Sequence, residues 1–405
     1  VTTAQESFDR LWAELEPIGR NPANGGYRRF AWTPEDAALR EWFAGEATAR
    51  GLDLTTDRAG NQWAWWGDPD EGVAQERPGL VLGSHLDSVP DGGAFDGPLG
   101  IISAFVALDA LRDKGYQPSR PIGVVNFGDE EGARFGIACA GSRIITGALP
   151  ADQALALTDS DAVSMSEAIR RAGGDPSELG RDEETLRRVG VFVELHVEQG
   201  RGLIDLDRPV AVGSAIWPHG RWRFDLPGKA NHAGTTRLAD RHDPMLALAD
   251  VIQQTRGLAE RFGVLGTCGK VQVEPNAVNA IPSRVTGWLD ARGADPGYVQ
   301  AFVEALDDVV GGHGGSMRQE SWTHETLLDL ALAERLAGLL SDAPVLPTGA
   351  GHDAGILANA GIRTAMLFVR NPTGVSHSPA EHADRDDCLL GVAALATVVE
   401  DLAVE

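Results

Sequence analysis

Four short apolar runs alternate with stretches of helical periodicity, and each leads into histidine or carboxylate side chains. The runs are GLVLGS near residue 80, PIGVVNF at 121–127, VGVFVELHV at 189–197 and IRTAMLFV at 362–369. Runs this short and this apolar read as strands. Between the first two, Leu99–Lys114 has helical periodicity, with Pro98 suited to a first turn and Gly115 to an end. A final helix is expected from about Asp386, and the N-terminal segment VTTAQESFDRLWAELEPIG reads as an amphipathic helix. Strands alternating with helices predict an α/β fold: a mostly parallel sheet with helices on both faces.

The middle of the chain has a different texture. From about 214 to 325 the order is strand (WRFDLPGKA), helix (DPMLALADVIQQTRGLAERFG), two strands (TCGKVQVEP and SRVTGWLDAR), helix (GYVQAFVEALDDVV) and strand (SMRQESWTH). That β-α-β-β-α-β order predicts a small α+β, ferredoxin-like domain inserted into the larger one. The predicted domains are therefore a discontinuous one, 1–213 and 326–405, and an inserted one, 214–325. A chain of 405 residues is long enough for two.

In open α/β sheets, sites form beyond the carboxyl ends of the strands. The first run leads into His85, Asp87 and Asp96, and the second into Asp129, Glu130 and Glu131. The third carries His196 and Glu198, and the fourth precedes His377. Any one of these is ordinarily a satisfied core histidine or a solvated acidic turn. Four strand ends bringing imidazoles and carboxylates to one sheet edge point instead to a metal site. Two divalent ions need a bridging carboxylate and terminal ligands of both types. Asp96, in the glycine-rich turn GGAFDGPLG, is the expected bridge. His85 and His196 complete one ion's shell, and Glu131 and His377 the other's. Asp87 is expected to orient the His85 ring. Glu130 then remains free as general base, taking a proton from the attacking water and passing it to the leaving nitrogen. Ligands without cysteine accept zinc, manganese, cobalt or nickel.

Composition removes several function classes. The net charge of -24, with 35 basic against 59 acidic residues, argues against a nucleic-acid partner. No apolar stretch is long enough to span a membrane. The N-terminus lacks the basic start and apolar core of a secretion signal, so a cytoplasmic location is expected. Three unclustered cysteines predict neither a disulfide framework nor a zinc knuckle. The segment GAGHDAG at 349–355 has the wrong spacing for a dinucleotide loop. It is read as a tight loop lining the site, with His352 and Asp353 as substrate or supporting groups. His219, His242, His313, His324 and His382 are read as structural or exposed.

Five motifs in register, GSHLDSVPDGGAFDGPLG, NFGDEEGARFG, ELHVEQG, NHAGTT and GVSHSPAEH, resemble the allantoate amidohydrolase and N-carbamoyl-L-amino acid hydrolase (hydantoinase/carbamoylase) family. That family lies within a larger group of dinuclear metallopeptidases and aminoacylases. The resemblance runs from about residue 8 to the C-terminus. It implies two divalent ions per subunit on His85, Asp96, Glu131, His196 and His377, with Glu130 as base. It implies that the inserted domain is a lid that also forms a homodimer. It implies that His232 holds the substrate or polarises its carbonyl. Gln199, Asn279 and Arg292 match substrate-gripping positions, with Arg292 on the carboxylate. Gly374, at the head of the His377 motif, belongs to the same substrate-binding set. The chain departs from the pattern at AIWPHGRWRF, where relatives are glycine-rich, and at Arg237, where a proline is common. Both departures bear on which substrate fits.

The expected reaction is hydrolysis of the ureido C–N bond of an N-carbamoyl-L-amino acid, a small ureido carboxylate, releasing the amino acid, ammonia and carbon dioxide. Allantoate and N-carbamoyl-β-alanine are the nearest alternatives, followed by an aminoacylase or aminopeptidase with the same metal core. A retired scaffold that only binds metal is disfavoured by the retained Glu130.

Overall fold

The computed structural model describes residues 3–404. The chain divides into two compact units: one holds the residues up to Ala215 and from Leu327 onward, the other Ile216–Thr326. In chain order the large unit first contributes strands β1 (Asp53–Thr56), β2 (Gln62–Trp66), β3 (Gly79–His85), β4 (Ile122–Phe127), β5 (Val189–Val197) and β6 (Val210–Ile216). The small unit follows with β7 (His219–Pro227), β8 (Asn231–His232), β9 (Leu265–Glu274), β10 (Ala280–Ile281), β11 (Arg284–Arg292) and β12 (Ser316–Thr323). Three more strands complete the large sheet: β13 (Thr326–Leu327), β14 (Val345–Thr348) and β15 (Arg363–Val369).

The large sheet runs in the order β1-β2-β4-β3-β5-β15-β6-β13, with β14 beside β6. The four strands foreseen from the apolar runs, β4, β3, β5 and β15, are parallel neighbours at its centre. Antiparallel β2 and β6 flank them. The chain passes from β3 to β4 on one side and later returns to place β5 on the other. The gap between the carboxyl ends of β3 and β5 is therefore a topological switch point, where α/β sheets form their ligand sites.

Both faces of these strands are covered, which is why their sequences are apolar throughout rather than alternating. On β5, Val191, Val193 and Leu195 join one core with Leu80, Leu82, Leu367 and the helix Pro98–Asp113. Phe192 faces the other core, with Val81, Val125, Phe127 and Met366. A strand's period of two then puts Glu194 and His196 on the Phe192 face. The helix Pro98–Asp113 is buried nearly all round because it packs on β3 and β5 and against the helices Ala4–Leu15 and Arg385–Leu402.

The small unit has a four-stranded antiparallel sheet in the order β12-β7-β11-β9. Helices Pro244–Phe262 and Pro296–Gly312 pack on it around Phe224, Leu226, Val251, Val285, Leu289, Phe302 and Leu306. Its first strand lies at His219–Pro227, three residues earlier than WRFDLPGKA suggested. Pairing with β11 runs from His219–Arg292 to Pro227–Arg284 and stops there; the next amide, on Gly228, turns to the Ser283 carbonyl. The short pair β8–β10 was not anticipated. No helix among the described residues is long and apolar enough to cross a membrane.

Candidate metal centre

His85 closes β3 and His196 lies near the end of β5, so the switch point holds one imidazole from each strand. Both rings are 1% exposed. His85 Nδ1 lies 3.2 Å from the Asp87 main-chain oxygen, and His196 Nδ1 lies 2.9 Å from that of Val197. A carbonyl only accepts, so each Nδ1 carries a proton, and in the neutral ring each Nε2 is left with a lone pair for a cation. Neither Nε2 has a hydrogen-bond partner. Both face the same carboxylate oxygen: Asp96 Oδ1 is 3.1 Å from His196 Nε2 and 3.4 Å from His85 Nε2. Three lone-pair atoms converging in a buried space need a positive charge among them, and a divalent cation fits that donor set.

The other Asp96 oxygen faces a second group. Oδ2 is 3.5 Å from His377 Nε2, which is itself 3.5 Å from Glu131 Oε2. Ligand atoms of His85, Asp96 and His196 lie within 4.8 Å of one another, as do those of Asp96, Glu131 and His377. Asp96 alone belongs to both sets, the position of a bridge. The turn that presents it needs Gly97. That residue has φ +84°, and a Cβ there would lie 2.5 Å from the His85 ring.

Charge follows from this crowding. Burial opposes a charge on either ring, yet Asp96 raises His196 to about 9, and Glu130, Asp87 and Asp96 raise His85 well above its usual range. Burial works against ionised Asp96 too, but the two imidazoles hold it well below the carboxylate range. Glu131 is pushed up to about 8 by burial and then by Asp96. Glu130 is raised well above its usual value by burial, with Asp353, Glu131 and Asp87 adding repulsion.

Glu130 is buried beside the donor set, with Oε2 3.7 Å from His85 Nε2 and Oε1 receiving the Cys139 thiol at 3.2 Å. Asp87 faces the His85 ring with both its main chain and its carboxylate, and that carboxylate helps raise the ring's proton affinity. The ring's hydrogen bond goes to the Asp87 main chain, and Oδ1 is 3.4 Å from Nδ1. The carboxylate also accepts the Glu130 amide at 3.2 Å and the Glu131 amide at 3.0 Å, fixing the acidic turn.

Gln199 donates to Asp96 Oδ2 at 2.8 Å and to Ser376 at 3.2 Å. His352 packs edge-on against His196 with ring centroids 4.6 Å apart, and burial and then His196 hold it well below its usual range. Gly374 sits in the loop after β15 at φ +66°, its amide bonded to Asn371 Oδ1. His232, Asn279 and Arg292 belong to the small unit. His232 lies on β8 and Asn279 just before β10, both exposed, and the Ala233 N–H beside His232 donates to the Asn279 carbonyl at 3.0 Å. Arg292 is half-buried at the end of β11 and directs Nε and Nη2 at Asp290 Oδ1. The exposed Arg237 pairs with Asp240.

Sequence reasoning passed over two buried acids here. Glu194 accepts the Ser84 hydroxyl at 2.8 Å and the Ala354 amide at 3.2 Å, and its parity with His196 on β5 would have found it. Glu381 accepts the amides of Phe95 and Asp96, each at 2.9 Å, so it holds the main chain of the Asp96 turn. It lies in the His377 motif, but nothing local says which loop it serves.

A model of peptidase family M20/M25/M40 matches residues 81–401. The N-carbamoyl-L-amino acid amidohydrolase of Geobacillus stearothermophilus is 36% identical over 410 residues, covering 98% of each chain. The allantoate amidohydrolase of Escherichia coli (strain K12) is 31% identical over 421 residues, covering 100% of this chain and 99% of the relative. The crystal structure of a hydantoinase/carbamoylase family amidase from Burkholderia vietnamiensis superposes with a TM-score of 0.87 at 28% identity, covering 100% of this chain and 98% of that one. With the family model spanning most of its length and relatives matching end to end, this chain belongs to peptidase family M20/M25/M40.

Proposed function

We propose that the protein hydrolyses the ureido C–N bond of an N-carbamoyl-L-amino acid, with two divalent ions held by His85, Asp96, Glu131, His196 and His377. One observation supports the two-ion reading above all: Asp96 turns one oxygen to the unpartnered Nε2 atoms of His85 and His196 and the other to His377. The choice of substrate follows the end-to-end relative from Geobacillus stearothermophilus. The ions, when bound, supply Lewis acidity toward the ureido carbonyl and acidify water at the site.

The chain's own groups do the rest. Glu130 takes the proton of the attacking water and delivers it to the leaving nitrogen. The Cys139 thiol at Oε1 steadies that carboxylate, and Asp87 holds the turn beneath it. Gln199 fixes Asp96 from the substrate side. Arg292 pairs with the substrate carboxylate, leaving Asp290 to do so, while His232 and Asn279 hold the ureido group and Gly374 lines its loop. The small unit serves as lid and homodimerisation unit.

Stripping the protein with chelator, reloading it separately with manganese, zinc or cobalt, and measuring ammonia release from N-carbamoyl-L-amino acids, N-carbamoyl-β-alanine and allantoate tests this. Metal-restored turnover of an N-carbamoyl-L-amino acid is the expected result. Restored turnover of allantoate alone would replace the substrate and keep the chemistry, a reading favoured by the Escherichia coli relative. No ammonia from any of them, with ions bound, would overturn the reading.

A further inference from the structure

The acidic turn is bent at Asp129, whose φ of +53° is left-handed, a conformation that residues with a side chain seldom adopt. Such a bend persists only where its surroundings hold it, and it fixes where the next two side chains, Glu130 and Glu131, point. Three main-chain bonds brace one side: the amides of Cys139, Ala140 and Gly141 donate to the carbonyls of Glu130, Asp129 and Gly128. Two side chains hold the amides before and after the bend. Asp87 takes those of Glu130 and Glu131, after it. The amide before it, on Gly128, donates to Asn61 Oδ1 at 2.8 Å.

Asn61 comes from a different element. It ends the turn between β1 and β2 and is 0% exposed. Its Nδ2 donates to Asp57 Oδ2 at 2.8 Å. A carboxylate only accepts, so that bond fixes which end of the Asn61 amide faces Gly128. Asp57 is held in turn by the main-chain amides of Ala59 and Asn61 and by the Trp63 indole N–H. All four partners are donors, the setting of an ionised carboxylate. Burial pushes Asp57 up to about 6, still below neutral pH. The far side of Asn61 is closed as well, since a Cβ on Gly141 would lie 2.1 Å from Asn61 Oδ1. Among the described residues, the Asn61 side chain therefore bonds to Asp57 and Gly128 in one fixed orientation.

We propose that Asn61 is a positioning residue for the reaction: by fixing the Gly128 amide, it aims Glu130 at the attacking water and Glu131 at the second ion. It touches no reacting group and acts through the main chain of the turn. This role rests on the reading of Glu130 as base and of Glu131 as a ligand.

Chelator-competition titrations with manganese, and ammonia-release kinetics with an N-carbamoyl-L-amino acid, test it on the full chain in Asn61→Ser, Asn61→Asp and Trp63→Phe. Serine is too short to reach Gly128. Aspartate keeps an oxygen there and shares a proton with Asp57. Trp63→Phe removes one donor from Asp57 and leaves the bond to Gly128 in place, so it reads the loss of hairpin stability alone. In Asn61→Ser, second-ion affinity and kcat should each fall by about tenfold or more, with first-ion affinity and KM within about threefold of the parent. Asn61→Asp should recover both losses to within about threefold, and Trp63→Phe should show neither. Unchanged second-ion affinity and kcat in folded Asn61→Ser would overturn the role, and so would equal losses in Trp63→Phe. Should Asn61→Ser not fold, Gly141→Ala displaces the same oxygen, and unchanged second-ion affinity there overturns the role too. Glu131→Ala separates this role from the reading beneath it. A second ion held there as tightly as in the parent removes Glu131 from the ligands. Its loss there, with none in Asn61→Ser, sinks the role of Asn61 alone.

Discussion

The two units hold their candidate functional groups in opposite ways. In the large unit, His85, Asp96, Glu130 and His196 are at most 7% exposed, and each is fixed by a main-chain or side-chain contact. In the small unit, His232 and Asn279 are exposed, and Arg292 directs its guanidinium at Asp290 on its own strand. The buried set carries a desolvation cost before any substrate arrives, and a cation offsets it. The exposed set keeps its water until it binds. Buried, fixed groups suit chemistry in a rigid frame, and exposed ones suit recognition on contact.

The sharpest way to break this contrast is Glu130→Gln. It should lower kcat by about 10²–10⁴ while elemental analysis finds the metal content unchanged. Parental activity in that variant would remove Glu130 from the chemistry. Arg292→Gln should lower kcat/KM by about ten- to hundredfold, the scale of one charge-assisted contact, and chiefly through KM. A matching loss of bound metal would mean that the small unit shapes the frame as well. Asp87→Asn should weaken metal affinity or activity by about ten- to hundredfold, because an amide group cannot accept both turn amides. An unchanged chelator competition and rate would show that the turn holds itself.

Acid should empty the centre. Without an ion, Glu131 titrates at about 8 and His196 at about 9. Protons therefore compete with the cation at neutral pH. Apparent affinity should rise with pH by about tenfold per unit for each proton displaced. Competition titrations from pH 6 to 9 read this, and a flat profile would mean the ligands are already unprotonated. The smallest effect is expected from Asp243→Ala, which removes the cap bonded to the Met245 amide at 3.0 Å. It should cost about 1 kcal/mol, seen in denaturant unfolding, with metal binding untouched. A change in metal affinity would show that the two units are coupled.

Much of this was legible before the structure. The four buried strands announce themselves because both faces are covered, which leaves unbroken apolar runs. The ends of those runs name His85, His196 and the acidic turn directly. Short edge strands such as β1 and β14 carry no such signal, since a few exposed residues leave no period to read. Glu194 is hidden inside an apolar run, and the spacing that pairs Asp87 with His85 says nothing of the two amides its carboxylate also accepts.

What the sequence determined by itself is the local grammar: which segments become buried strands, where each stops, and which ligand types follow. Residue order is enough for that, because burial and period act over a few neighbours. Only the tertiary structure decided that Asp96 faces two imidazole nitrogens on one side and His377 on the other, that Glu381 ties the Asp96 turn down from 285 residues away, and that Asn61 holds the Gly128 amide from 67 residues away. Those are distances between groups remote in the chain. They follow from the strand order at the switch point, which pattern alone does not specify.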